Sequence, residues 1–394
     1  MISTGFVNSI KRGCRQLCGR RIYFFAMTVI PIVLAGFLLG LMRNGLPLHI
    51  PTAIVNHDNT ESTRKLIRNI KSSEEVSVVS VVSSEAEAMQ LIRKGKIYGF
   101  YVIPFNFTSD ATAGRAPELA YYTNSTFFIP SSLLFRSLKT NSVLASGAIV
   151  KTYLVNSGAA TDAQAQTLLQ PVVLQTNPLH NPESNYSVYL CNSFIPAALA
   201  LMILLVTAYS IWHEEKMQTS PQWIKEAHGS ITIALLGKLL PQTVVFAAVG
   251  VFMQSLMYGY LHFPLNCSPW QAVGTMLLFV LANQGFAVFI SGIMPNLRMA
   301  LSFCSLFGIL TFSIGAFSFP LEDMYGSIAI FSYILPSRYY FLIYVDQMLN
   351  GLPLYYSRFY YAALLAFMLL AFMLLPLLVA RRIKRHALHP VYVP

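Results

Sequence analysis

The residues of this chain that could do chemistry are few, and their spacing excludes most catalysis. No GxxxxGK[ST] stretch occurs: Gly95-Lys96 is followed by Ile97, and Gly237-Lys238 by Leu239. The chain therefore carries no P-loop to cradle ATP phosphates. No HExxH run, Cys/His cluster or nucleophile–base pair is visible, and His57-Asp58 after an apolar run reads as turn chemistry. No catalytic, cofactor-binding or metal-binding residues are expected. The five cysteines, Cys14, Cys18, Cys191, Cys267 and Cys304, show no paired framework. Cys14 and Cys18 stand one helical turn apart, which suits a helix face, with a lipidation or metal pair as the alternative. What remains is a charged internal stretch, Trp212–Pro241, carrying Glu214, Glu215, Lys216, Lys225 and Glu226 between two long apolar runs. Such a stretch suits mechanical coupling rather than bond chemistry.

The composition explains the scarcity. Of 394 residues, 55% are hydrophobic and 11% charged, against about 25% charged in soluble domains. The net charge of +11 comes from basic residues clustered beside apolar runs, which is the signature of membrane topology and not of a nucleic-acid groove. Nucleic acid is not an expected partner; the lipid bilayer is. The apolar runs are nearly free of ionisable groups. Lys238 lies near the end of one and can snorkel, and Glu322 and Asp323 flank another. An ion-driven pump usually places a carboxylate inside the membrane, so ion coupling is disfavoured. The runs hold amides instead, Asn192, Gln242, Gln254, Asn283 and Gln284, with Phe194, Phe303, Phe307, Phe312 and Phe317. These suit interhelical bonding and packing, or else a substrate path.

The elements that must position these residues follow from the pattern. Residues 1–21 read as an amphipathic helix on the cytoplasmic membrane surface, with Phe6, Ile10, Cys14 and Leu17 on one face and Lys11, Arg12 and Arg15 on the other. The run 22–42 is long enough to cross the hydrocarbon core and is preceded by Arg20-Arg21, so an uncleaved anchor with a cytoplasmic N-terminus is expected. Residues 43–190 are polar, and read as an α/β domain outside the membrane. Thr52–Asn56, Val76–Val82, Ile97–Ile103 and Leu119–Thr123 are the strands. Ser62–Lys71 and Ser84–Lys94 are the helices between them, and Phe127–Gln170 is a helical stalk. Sequon-type triplets fall at Asn106, Asn124 and Asn185. Further spans are expected at 191–211, 231–258, 270–294, 299–319 and 359–380, with a cytoplasmic loop at 212–230 and a basic cytoplasmic tail at 381–394. Residues 320–358, broken at Pro320, Gly326 and Pro336, read as short re-entrant helices with Tyr333, Tyr339, Tyr340 and Tyr344 at the headgroup level. The fold class is an α-helical polytopic membrane protein of six transmembrane helices with an inserted α/β extracytoplasmic domain.

In this order, several motifs resemble those of the permease subunits of ABC-2 type exporters, the type V or ABCG-like fold. A surface helix precedes the first span. The external domain opens with a strand ending Val55-Asn56-His57-Asp58, and continues to Gly95, the strand Ile97–Ile103, Pro104 and Phe107. After the second span come Glu215, Lys216 and Thr219, then Gly237, Lys238 and Pro241, and later Phe319-Pro320 and Pro336 with Tyr339-Tyr340. One departure stands out: Met217 and Gln218 precede Thr219, where the family usually has a glycine before the threonine.

The resemblance implies a non-catalytic permease in a bacterial inner membrane, both termini cytoplasmic, paired with a second copy or a related permease. ATP and magnesium would sit on a separate dimer of ABC ATPase subunits. Glu215, Lys216, Trp223, Ile224 and Lys225 are the expected ATPase contacts, supported by Arg12 and Arg15, with Trp223 and Ile224 as apolar anchors. Phe194, Met202, Phe303 and Phe307 would line a path between the second and fifth spans for a hydrophobic or amphipathic drug-, lipid- or peptide-like substrate. A periplasmic adaptor would be a further partner. The alternative is a non-transporting surface receptor or scaffold of a secretion apparatus. An adjacent ATPase gene favours the exporter.

Overall fold

The structure, a computed structural model, describes residues 2–43, 45–170, 179–181, 185–315 and 321–369. The chain divides into two compact units, Met1–Gly45 with Pro178–Pro394, and Leu46–Asn177.

The chain opens with helix α1, Ile2–Gly19. The backbone turns at Arg20, which is extended, and the first apolar span follows over Arg21–Leu41. This span is built from α2 (Arg21–Phe24), a wider π turn over Phe25–Val29, and α3 (Ile30–Leu41). Phe24, Phe25, Ile30, Val33, Phe37 and Leu41 are exposed on it, as expected of a surface that meets lipid.

The unit Leu46–Asn177 is a four-stranded sheet of order β2-β1-β3-β4. Its strands are β1 (Ile50–Asn56), β2 (Val76–Val82), β3 (Gly99–Ile103) and β4 (Ala120–Thr123). β1 pairs in parallel with β2 and β3, and β4 closes one side antiparallel to β3. The crossovers are α4 (Glu61–Lys71) and α5 (Glu85–Arg93), and a short α6 (Phe107–Thr112) follows β3. Thr60 and Ser84 cap α4 and α5 through their side-chain oxygens. Central parallel strands bury both faces. On β1, Ile54 packs with Leu66, Ile70, Tyr101 and Leu134, while Ala53 and Val55 pack with Ala88, Phe100 and Val102. Leu134 and Leu138 belong to α7 (Phe128–Asn156), which leads to α8 (Asp162–Leu169). Asp58, at the end of β1, accepts from the backbone N–H and hydroxyl of Thr108 at 2.8 and 2.7 Å and so ties α6 to the β1 turn.

The second half of the other unit is helical. α9 runs from Tyr186 to Lys216, α10 from Ser220 to Glu226, and α11 from Ile231 to Gln254 with a π turn to Tyr260. α12 spans Pro269–Ile293 and α13 Leu297–Ile314. α14 (Gly326–Tyr333) and the pair α15 (Pro336–Ile343) with its π extension to Leu349 are bent by 82°. A last helix, α16, covers 354–369. Among the described residues, five helices are long and apolar enough to cross a membrane, or six if the bent pair is one span. α9 is the axis of the packing: its apolar window is 72% buried, against 17% for the first span.

The structure departs from the sequence reading in two places. The stretch 212–230 is not a loop, because α9 continues helical through Lys216 and a second helix follows within four residues. Tyr340 and Tyr344 are buried in the bundle, not displayed at its edge; Tyr340 receives a hydrogen bond from Gln254 Nε2 at 3.2 Å. The final span is described only to residue 369. The tail 381–394 and the Phe319-Pro320 break lie outside the described residues.

Candidate functional site

The charged stretch condenses around one carboxylate. Glu214, in the last turn of α9, is fully buried. Its oxygens accept from Lys238 Nζ of α11 at 2.7 Å and from Arg12 Nη2 of α1 at 2.9 Å. They also accept from the Gln16 amide of α1 and the Thr219 hydroxyl just before α10. Four elements thus converge on a single side chain. Arg12 reaches further, donating to Glu226 at the end of α10 at 3.0 Å. Burial works against the Arg12 charge, but the hydrogen bond and attraction of Glu214, then Glu226, outweigh it and raise its pKa above the ordinary value. Lys238 is 2% exposed, and its ammonium also sits 4.9 Å from the centre of the Trp223 ring. A buried charge needs partners of this kind, since desolvation is otherwise uncompensated. Arg20 donates to His213 at 3.2 Å on the neighbouring turn.

The backbone around the network is set by two helix stops of one design. At the end of α9, Thr219 N–H donates to Glu214 O and Gln218 N–H to Glu215 O. At the end of α10, Gly229 N–H donates to Ile224 O and His228 N–H to Lys225 O. These paired bonds are Schellman stops, which require a left-handed residue after the cap. Gln218 has φ 54° and His228 φ 53°. The departure seen in the sequence, glutamine where the family favours glycine, therefore keeps the glycine conformation. The cost is about 1–2 kcal/mol of local strain.

α1 docks on α11 through small residues. Gly5, Ser9 and Gly13 are its buried positions, four residues apart, while Cys14 is exposed and Phe6, Ile10 and Leu17 are half-buried. A Cβ added at Gly237 of α11 would meet Ser9 Cβ at 2.4 Å, and one at Gly13 would lie 3.2 Å from Lys238 O. α1 thus meets α11 through small residues that let two backbones approach. The sequence held this signal, Gly-xxx-Ser-xxx-Gly, with Gly5 against His228 and Ser9 and Gly13 against Gly237 and Lys238, but the larger apolar residues beside it masked it.

The candidate contact residues separate by placement. Lys216, Lys225 and Arg15 are exposed, and Glu215 and Ile224 are half-buried. Arg12 turns inward to the network. Trp223 is 1% exposed and packs with Ile211, Ala227, Leu235 and Leu239. It pins α10 to the bundle and has no free surface for another chain. Asn8, Lys11, Arg12, Arg15, Gln16 and Glu226 line a polar recess beside the network. The residue that sequence reading missed is Glu214 itself, because burial is not written in the local pattern.

The path candidates lie on the seam of α9 and α13. These helices are held close at Gly308, where an added Cβ would meet Leu201 Cδ1 at 2.3 Å. Phe194 meets Phe312 edge-on at 5.5 Å, and Phe307 meets Phe286 at 5.3 Å. Phe303 packs beside Phe307 against Cys304, and Met202 belongs to a separate cluster around Ile203 and Phe279. The structure therefore brings Phe303 and Phe307 together and leaves Phe194 and Met202 apart from them. The amides mostly bond between or within helices: Tyr258 O–H donates to Asn192 at 2.8 Å, and Thr243 O–H to Gln284 at 2.7 Å.

No metal-binding group of three or more His, Cys, Asp or Glu occurs among the described residues. No curated protein matches the chain. A family described as "ABC-2 family transporter protein" matches residues 21–380, which covers the apolar spans, the inserted sheet and the Glu214 network apart from its α1 partners. The chain belongs to the ABC-2 family of transporter proteins.

Proposed function

We propose that the chain is the membrane permease of an ATP-driven exporter, and that α10 is the surface through which a separate ATPase moves it. The observation that carries this reading is the convergence of α1, α9, α10 and α11 on Glu214. A push on α10 cannot move that helix alone. It is pinned by Trp223, hydrogen-bonded through Thr219, and tied to α1 through Arg12. The cytoplasmic end would therefore move as one lever, and α9, the most buried span, would carry the motion into the bundle. The contact residues on this reading are Glu215, Lys216, Ile224 and Lys225, with Arg15 at the basic recess. The substrate is hydrophobic or amphipathic, moving along the α9–α13 seam of paired permeases past Phe194, Met202, Phe303 and Phe307. The scarcity of charge along that seam supports this class.

Co-purification tests the proposal. The chain is expressed with each ABC ATPase of its own genome in turn, solubilised in mild detergent and captured by a tag on the permease. Wild type should retain the ATPase. Ile224→Asp combined with Lys225→Glu should lose it while the permease elutes at its normal volume. Retention by the double variant would remove α10 from the interface. Failure of the wild type to retain any ATPase, with or without nucleotide, would count against ATP-driven transport.

A further inference from the structure

Arg338 is a buried cation that forms no ion pair among the described residues. It lies in the first turn of α15, directly after the 82° break from α14, and is 8% exposed. Its Nη1 donates to Ser332 Oγ at 3.1 Å, and its guanidinium lies 4.7 Å from the centre of the Tyr333 ring. Its Nε has no hydrogen-bond partner among the described residues. Asp346, on the same helical run, is eight residues further on, roughly 12 Å along a helix, and accepts from Ser357. A guanidinium cannot shed its proton to escape burial. A cation kept in an apolar bundle without an ion pair among the described residues points to a functional position.

A second observation lies in the same turn. Ser337 is 1% exposed, and its hydroxyl is also without a partner. Pro336 opens the helix, and Leu335 provides no side-chain cap. The first turn of α15 thus combines an open helix N-terminus, an unused hydroxyl and an unused guanidinium N–H, all of them donors. Half-helix N-termini at breaks inside membrane bundles are suited to hold anionic groups.

We propose that the first turn of α15 binds one anionic group, a phosphate or carboxylate, carried by an amphipathic molecule. Arg338 is the counter-ion and Ser337 the second donor. That the bound molecule is the transported substrate rests on the exporter reading; the binding does not. The anionic head meets the break, and the tail lies along the apolar bundle.

Equilibrium binding to the purified full-length chain in dodecyl maltoside tests this without the ATPase. The probes are lauryl phosphate, dodecyltrimethylammonium and inorganic phosphate. Wild type should bind lauryl phosphate at least tenfold more tightly than either of the others. Arg338→Gln should weaken lauryl phosphate binding tenfold or more, and Arg338→Lys should fall between. Equal affinity for the cationic and anionic amphiphiles, or an unchanged affinity in Arg338→Gln, would overturn the proposal. Inorganic phosphate bound as tightly as lauryl phosphate would overturn the amphipathic assignment. If Arg338→Gln does not fold, Ser337→Ala decides: a severalfold loss supports the site, and no loss refutes it.

Discussion

Glu214→Ala should be the most damaging single substitution at the base of the bundle. The side chain is fully buried and accepts from Lys238, Arg12, Gln16 and Thr219. These losses are not equal. Arg12 keeps Glu226 at 3.0 Å, so its charge remains partnered. Lys238, 2% exposed, keeps only the face of Trp223. Removing one member of a buried ion pair costs about 3–5 kcal/mol, because the other charge is left desolvated. Loss of the Gln16 and Thr219 bonds to the carboxylate adds about 1.5–3 kcal/mol each. At roughly 2–4 °C per kcal/mol, the Lys238 loss alone lowers the melting temperature by about 6–20 °C. The assay is fluorescence-detected thermal unfolding of the full chain in detergent, with the double variant Glu214→Leu, Lys238→Met beside it. The double variant removes both charges and should recover most of the loss, since replacing a buried pair by apolar side chains is often neutral. A single variant that melts within about 2 °C of wild type would refute the network as a structural hub. A double variant no better than the single one would refute the assignment of the loss to Lys238.

Gln218→Gly should raise stability by about 1 kcal/mol, because glycine adopts φ 54° without strain; chemical denaturation of the full chain reads this, and a destabilised variant would contradict the Schellman assignment. Gly237→Ala should loosen α1, since its Cβ would sit 2.4 Å from Ser9 Cβ; a cost of about 1–3 kcal/mol is expected, and hydrogen exchange should rise across residues 2–19 and little elsewhere. Gly99→Ala should destabilise the sheet unit, because its Cβ would lie 2.5 Å from the Tyr122 carbonyl oxygen; faster exchange confined to residues 46–177 is the expected result. Tyr101→Phe should be milder, about 1 kcal/mol, since it removes the hydroxyl bond with Ser142 at 2.7 Å but keeps the ring packing.

Much of the architecture was legible because it depends on local pattern. Ile97–Ile103 read as a strand from its β-branched and aromatic run, and its paired portion is Gly99–Ile103. The short helix of Glu85 to Arg93 was visible in its Ser84 cap and early acids. The apolar runs read as spans because length and hydropathy suffice. Less legible was where helices stop. The end of α9 looked like a loop because Trp212, His213 and two glutamates interrupt the apolar run, yet a helix tolerates these residues. Only the Schellman bonds at Gln218 and Thr219 end it.

The sequence by itself determined the membrane class, the presence of several long apolar helices and the absence of a P-loop. These are properties of neighbouring residues and of length. Only the tertiary structure decided which charges in the Trp212–Pro241 stretch matter. Glu214 and Glu215 are adjacent and chemically alike, but successive helix positions point about 100° apart, and only Glu214 turns inward to meet Lys238 of α11 and Arg12 of α1. Trp223 and Lys225 separate in the same way, the first into the bundle and the second to its surface. Arg338 follows the same rule: its charge is written in the sequence, but its burial, with Nε unpartnered among the described residues, emerges only when the helices pack around it.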